Sequence, residues 1–122
     1  MDNKPVTPAL HGIIDYVFSA IQIAGPTLIG LNDKTIKTYR ALGAGFLSVN
    51  ALTDCGVGIK PVISFKGHQK ADGVFLATLS LLTFSDVVRK DKKALRFHLG
   101  FLATAISHYV LTDYNSNSKK IW

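Results

Sequence analysis

The sequence predicts an all-α fold: a four-helix transmembrane bundle made of two helical hairpins arranged as parallel repeats. Three observations predict it. The run Ala9 to Leu31 is long enough to cross a bilayer, because about 20 apolar residues match a hydrocarbon core of about 30 Å, and its one formal charge is Asp15. The 14 Lys and Arg cluster in short connections between apolar runs, and the 8 acidic residues are all Asp. Helices with broad wet faces use Glu freely, so its absence fits helices with little wet face. Finally, the two halves match each other in order. His11-x-x-x-Asp15 and Leu42-Gly43 return 57 residues later as His68-x-x-x-Asp72 and Leu99-Gly100, and Ser48-x-x-x-Leu52-Thr53-Asp54 returns 59 later as Ser107-x-x-x-Leu111-Thr112-Asp113.

The elements follow from the apolar runs. The first helix is expected from about Pro8, which suits a first turn because its missing N–H is not needed there, to Leu31. Gly25-Pro26 should kink it or end its regular hydrogen bonding. Asn32 to Arg40 reads as a polar connection. The second run, Ala41 to Ile59, carries Gly43 and Gly45 for close backbone approach and Asn50 for a bond to a neighbouring helix. Lys60 to Gly67 is a turn. The third run is Asp72 to Val88, followed by the hydrophilic loop Arg89–Lys93. The fourth is Ala94 to Tyr114, and Trp122 is placed at a membrane interface. Residues 1–122 form one domain, with repeat one at about 9–59 and repeat two at about 66–116.

Composition bounds the function. Hydrophobic residues are 48% and the net charge is +6; mean hydropathy is +0.24. The basic balance flanks apolar runs and lacks interleaved aromatics, so cationic loops at a bilayer explain it and nucleic acid is not an expected partner. Cys55 alone makes neither a disulfide nor a thiolate metal cluster and reads as a small packing residue. No signal peptide is visible, so the first run is expected to be retained as a span. The connections Asn32–Arg40 and Arg89–Arg96 hold eight of the Lys and Arg residues, which places them in the cytoplasm and both termini outside. Arg89–Arg96 is also positioned to meet anionic lipid headgroups. A homodimer is plausible, because four short helices enclose little interior.

Parallel repeats put the starts of helices one and three beside the ends of two and four. That end collects His11, Asp15, His68 and Asp72, with Asp54, His108 and Asp113 in reserve. His and Asp four apart share a helix face, and intramembrane ionisable groups face a partner or a wet cavity. The leading expectation is a structural, accessory or binding role, with the four residues as a polar clasp. The alternatives are a metal- or proton-handling transporter, or a metal-dependent membrane enzyme, using His11, Asp15, His68 and Asp72 with a divalent cation such as zinc. Haem is disfavoured: His98 and His108 lie roughly 15 Å apart along one helix and could not share one, which leaves His108 with His11 or His68 as the axial pair. Phosphate loops, nucleotide fingerprints and metalloprotease motifs are missing from the sequence, and no nucleophile is set up for catalysis.

The segments His11-Gly-Ile-Ile-Asp15-Tyr16, Gly25-Pro-Thr-Leu-Ile-Gly30, Leu52-Thr-Asp-Cys-Gly-Val-Gly-Ile-Lys-Pro61 and His68-x-x-x-Asp72 resemble small bacterial membrane proteins of the SPW-repeat-like type. The resemblance implies four spans in a bacterial inner membrane and no assigned reaction.

Overall fold

The computed structural model describes residues 4–121; Trp122, and with it the expected interfacial anchor, lies outside the described residues. Four helices make the fold: α1 (Pro8–Leu28), α2 (Asp33–Ala51), α3 (Phe65–Leu82) and α4 (Lys92–Leu111). Each starts at a side-chain cap. Thr7, Asn32, Ser64 and Asp91 accept from the backbone N–H groups of Leu10, Thr35, Gly67 and Ala94, satisfying donors that a first turn leaves open.

Those caps explain where the helices depart from the apolar runs. The expected connection Asn32–Arg40 is mostly the first two turns of α2, with Thr35 and Tyr39 buried and Lys34, Lys37 and Arg40 toward solvent. Similarly, α3 starts at Phe65, seven residues before Asp72. At the other ends the runs outlast the helices: 52–64 is a loop turned by Gly56 at φ 101°, and 83–91 is a turn. α1 stops at Leu28, within a turn of Pro26, where Gly30 at φ 71° reverses the chain.

α1 and α2 pack tightly. A Cβ on Gly43 would fall 2.8 Å from Ile23 Cγ1 and 2.9 Å from Gln22 Cβ, so only glycine lets these backbones approach so closely. Asn50 Nδ2 donates to Gly12 O at 2.8 Å, the interhelical bond expected of it. The mid-bundle core is Phe18, Tyr39, Leu79, Phe101 and Ala105. A second cluster of Cys55, Phe65 and Tyr114 closes one end, and Cys55 is a buried free thiol.

The loops at that end cross between the halves. Val6 N donates to Leu111 O (3.2 Å) and Asp113 N to Val6 O (2.9 Å). Ile63 N donates to Leu52 O (2.8 Å) and Asp54 N to Ile63 O (2.8 Å). The residue leading into α1 is thus tied to the end of α4, and the residue leading into α3 to the end of α2.

The outer surface is sorted by polarity. α2 from Ala41, α3 after Asp72, and α4 after Arg96 carry no acidic, Lys or Arg side chain to their C-termini, and the one such side chain in α1, Asp15, is buried. Val17, Leu47, Val74 (68% exposed), Leu81 (74%), Leu99, Ile106 and Val110 face outward in this belt. Its exposed hydroxyls, on Ser48, Thr78, Ser80, Thr104 and Ser107, each donate to the carbonyl four residues back at 2.8–2.9 Å. Among the described residues, no helix is long and apolar enough to cross a membrane.

Candidate metal centre

His11 and Asp15 lie one turn apart on α1, and His68 and Asp72 one turn apart on α3, so each pair projects from one helix face. The two faces meet inside the bundle. The Nε2 atoms of His11 and His68 are 3.2 Å apart. His11 Nε2 lies 3.1 Å from Asp15 Oδ2 and 3.1 Å from Asp72 Oδ2. His68 Nε2 lies 2.9 Å from Asp15 Oδ2 and 3.3 Å from Asp72 Oδ1. All four residues are buried. A tetrahedral centre with bonds of about 2.0–2.1 Å has ligand–ligand edges of about 3.3–3.4 Å. The three edges among His11 Nε2, His68 Nε2 and Asp15 Oδ2 (2.9–3.2 Å) come within about half an ångström of that figure, and Asp72 approaches His11 through Oδ2 and His68 through Oδ1.

The other ring nitrogens decide what these atoms present. Thr112 Oγ1 donates its hydrogen to His108 O at 2.6 Å, so its oxygen accepts from His11 Nδ1 at 2.8 Å. Thr53 Oγ1 likewise donates to Val49 O at 2.6 Å and accepts from His68 Nδ1 at 2.7 Å. Both imidazoles therefore carry a proton on Nδ1. In the neutral ring, Nε2 then offers a lone pair, aimed at another lone pair and at carboxylate oxygens. That arrangement is repulsive until positive charge enters, either as a second proton on each ring or as one cation among the four atoms.

Two further residues complete the cluster and differ between its halves. His108 Nε2 binds Asp15 Oδ1 at 2.9 Å, and its ring stacks on His11 with centroids 4.0 Å apart. That stacking leaves no gap for a macrocycle between them. Tyr114 Oη donates to Asp72 Oδ2 at 2.7 Å. Burial raises the Tyr114 phenol above its ordinary value, and the Asp72 charge adds to the effect. Phe65 and Tyr114, stacked at 5.2 Å, cover the cluster toward the nearby loop end.

Of the sequence-predicted residues, the structure brings together His11, Asp15, His68, Asp72 and His108. Asp54 and Asp113 occupy the same end but not the cluster. Asp54 is exposed and paired with Lys119 at 2.8 Å, and the Asp113 carboxylate accepts from Asn115 N. They follow Thr53 and Thr112 directly, and those threonines, unassigned from sequence, take the inward positions. The signal was present in the Leu-Thr-Asp triplet common to both halves. His98 stands elsewhere: it bridges Tyr39 Oη (2.6 Å) and Thr83 Oγ1 (2.8 Å) toward the opposite end, with every ring nitrogen engaged.

Scans of this chain against family models, curated proteins and solved structures each returned no match.

Proposed function

We propose that this protein is an integral membrane bundle that binds one divalent cation, such as zinc, through His11, Asp15, His68 and Asp72. The observation that carries the metal reading is the meeting of two Nε2 lone pairs and two carboxylates, buried together with their ligand atoms within 4.8 Å of one another. The threonine acceptors behind both histidines supply the outer-shell bonds that fix ligand tautomer and ring orientation.

The charge-free belt supports the membrane reading. The helices have 18–21 residues. At about 1.5 Å per residue they are about 27–32 Å long, while the uncharged stretches 41–51, 73–82 and 97–111 of α2, α3 and α4 are about 15–23 Å, shorter than a hydrocarbon core of about 30 Å. Part of their polarity, from His11, Asp15, Gln22, Asn50, His98 and His108, is buried inside the bundle, where a lipid chain would not touch it; the larger part, from Lys34, Lys37, Arg40, Lys66, Lys70, Lys92, Lys93 and Arg96, lies toward the N-terminal ends of α2, α3 and α4. Outward hydroxyls bonded to their own helix present little polarity.

The two-repeat reading is supported by contacts between positions 57 or 59 apart. His11 meets His68, Tyr39 meets His98, and Asn32 Nδ2 donates to Asp91 Oδ2 at 2.9 Å. Such equivalences fit a pseudo-two-fold axis along the bundle, with both termini at the cluster end and the basic turns at the other, facing the cytoplasm. The core of Phe18, Tyr39, Leu79, Phe101 and Ala105 is largely apolar, which favours a bound ion over a proton path.

The test is elemental analysis of detergent-purified protein beside His11→Ala, Asp72→Ala and the distant Tyr39→Phe. Near-stoichiometric metal in wild type and Tyr39→Phe, lost in the other two, is expected. Metal-free wild type after growth and purification with added zinc would leave two imidazoliums clasping two carboxylates, a purely structural role. Recovery of the protein in the soluble fraction, without detergent, would remove the membrane reading.

A further inference from the structure

The two carboxylates of the cluster are held differently. Asp15 divides its oxygens: Oδ2 faces the Nε2 atoms of His11 (3.1 Å) and His68 (2.9 Å), while Oδ1 is bound by His108 Nε2 at 2.9 Å. An ionised carboxylate only accepts, so His108 Nε2 donates. The His108 ring is packed on two sides, stacked on His11 and set edge-on to Phe18 with centroids 5.1 Å apart. Asp72 turns both oxygens inward instead, Oδ2 toward His11 at 3.1 Å and Oδ1 toward His68 at 3.3 Å. The 59-residue shift that pairs Thr112 with Thr53 pairs His108 with Val49, a side chain with no donor.

We infer that His108 sets which metals the centre accepts, as a positioning residue that keeps Asp15 a one-oxygen ligand. The inference rests on the metal centre proposed above and adds its selectivity. The count of donor atoms carries it. With Oδ1 held by His108, the four residues offer five atoms: two imidazole nitrogens, one oxygen of Asp15 and two of Asp72. Zinc is satisfied by four such donors and expands to five. Manganese, magnesium and calcium take six or more, mostly oxygen. Such ions often make up the number with water, but here all four ligand residues are buried, and Phe65 and Tyr114 cover them. Release of Asp15 Oδ1 would raise the count to six and open the centre to the harder ions. His108 thus acts without touching the metal, by withholding one oxygen from it.

The experiment strips full-length protein in detergent with a chelator. Zinc and manganese affinities are then measured by competition at one pH, beside His108→Leu and His108→Gln. Cobalt(II) in place of zinc reports the coordination number, because its visible bands are strong with four or five ligands and weak with six. Wild type should bind zinc far more tightly than manganese and give strong cobalt bands. His108→Leu should weaken zinc about 10–100-fold, the usual effect of losing an outer-shell partner, leave manganese no weaker and give weak cobalt bands. His108→Gln, whose amide can donate to the same oxygen, should restore both the zinc preference and the strong bands. Equal losses of zinc and manganese in His108→Leu, with the cobalt bands unchanged, would mean that His108 only supports the bundle, and would overturn the inference. Weak cobalt bands in wild type overturn it too, a result that needs no variant to fold. Wild type that binds zinc and manganese alike keeps the centre and removes the selectivity; wild type that binds none of the three metals removes the centre itself.

Discussion

Replacing Thr112 with valine keeps the side-chain volume and removes one oxygen. That oxygen accepts the His11 Nδ1 hydrogen at 2.8 Å and is fully buried. Two effects follow. The His11 N–H loses its partner out of reach of water, which costs about 1–3 kcal/mol of stability. The ring also loses the contact that holds its tautomer and orientation. Loss of such an outer-shell partner typically lowers metal affinity 10–100-fold, or about 1.4–2.8 kcal/mol. Thr53→Val does the same to His68 from the opposite half, so the two variants should weaken zinc by similar factors. Thr112→Ser and Thr53→Ser keep the hydroxyl and should restore most of the affinity. Competition against a chromophoric chelator in detergent measures binding, and thermal unfolding without metal measures stability separately. A folded Thr112→Val that binds zinc within about twofold of wild type would refute the tautomer argument, because general loosening of the bundle lowers stability without requiring that result.

Three other outcomes follow. Gly43→Ala should destabilise by about 1–3 kcal/mol through overpacking against Ile23 and Gln22, whereas Gly45→Ala, in open space, should stabilise by up to about 1 kcal/mol; denaturant titration that ranks them the other way contradicts the α1–α2 packing. Asp91 is held below the usual carboxylate range by the Asn32 amide first, then by the N–H groups of Ala94 and Lys93. Its cap is therefore complete above the unfolded value of about 3.9 and is lost as pH falls through the folded value. Amide exchange at 93–95 should lose protection there in wild type and show no such step in Asp91→Asn. Tyr114 has a raised folded value, so its contribution is complete below the unfolded value of about 10 and is lost as pH climbs toward the folded one. Tyr114→Phe should leave the phenolate absorbance rise near pH 10 unchanged, and a smaller rise would show Tyr114 titrating normally.

The number of helices and the gathering of His11, Asp15, His68 and Asp72 were legible because both rest on spacing. Uncharged stretches mark the C-terminal parts of α2, α3 and α4, and an i, i+4 pair shares a face whatever the surroundings. Helix ends were not legible in the same pattern. Lys34, Lys37 and Arg40 look like a loop when apolarity is the guide, yet they extend a capped helix past the belt with Tyr39 turned inward. The roles of Thr53 and Thr112 were hidden for another reason. Each acts on a histidine 15 or 101 residues away, and only the meeting of opposite halves brings them within reach. Asp54 and Asp113 carried the more conspicuous charge and drew the assignment one position too far.

The crossing of the loops has a consequence for assembly. The threonine that aims His11 lies beyond α4, the one that aims His68 lies just after α2, and the backbone bonds of Val6 and Ile63 follow the same exchange. Neither 1–59 nor 60–122 alone holds a histidine together with its own guide. Cut in that loop and produced separately, the two fragments should be inert toward metal singly and regain it only on mixing, as a pair of hands completes a clasp that one hand cannot close.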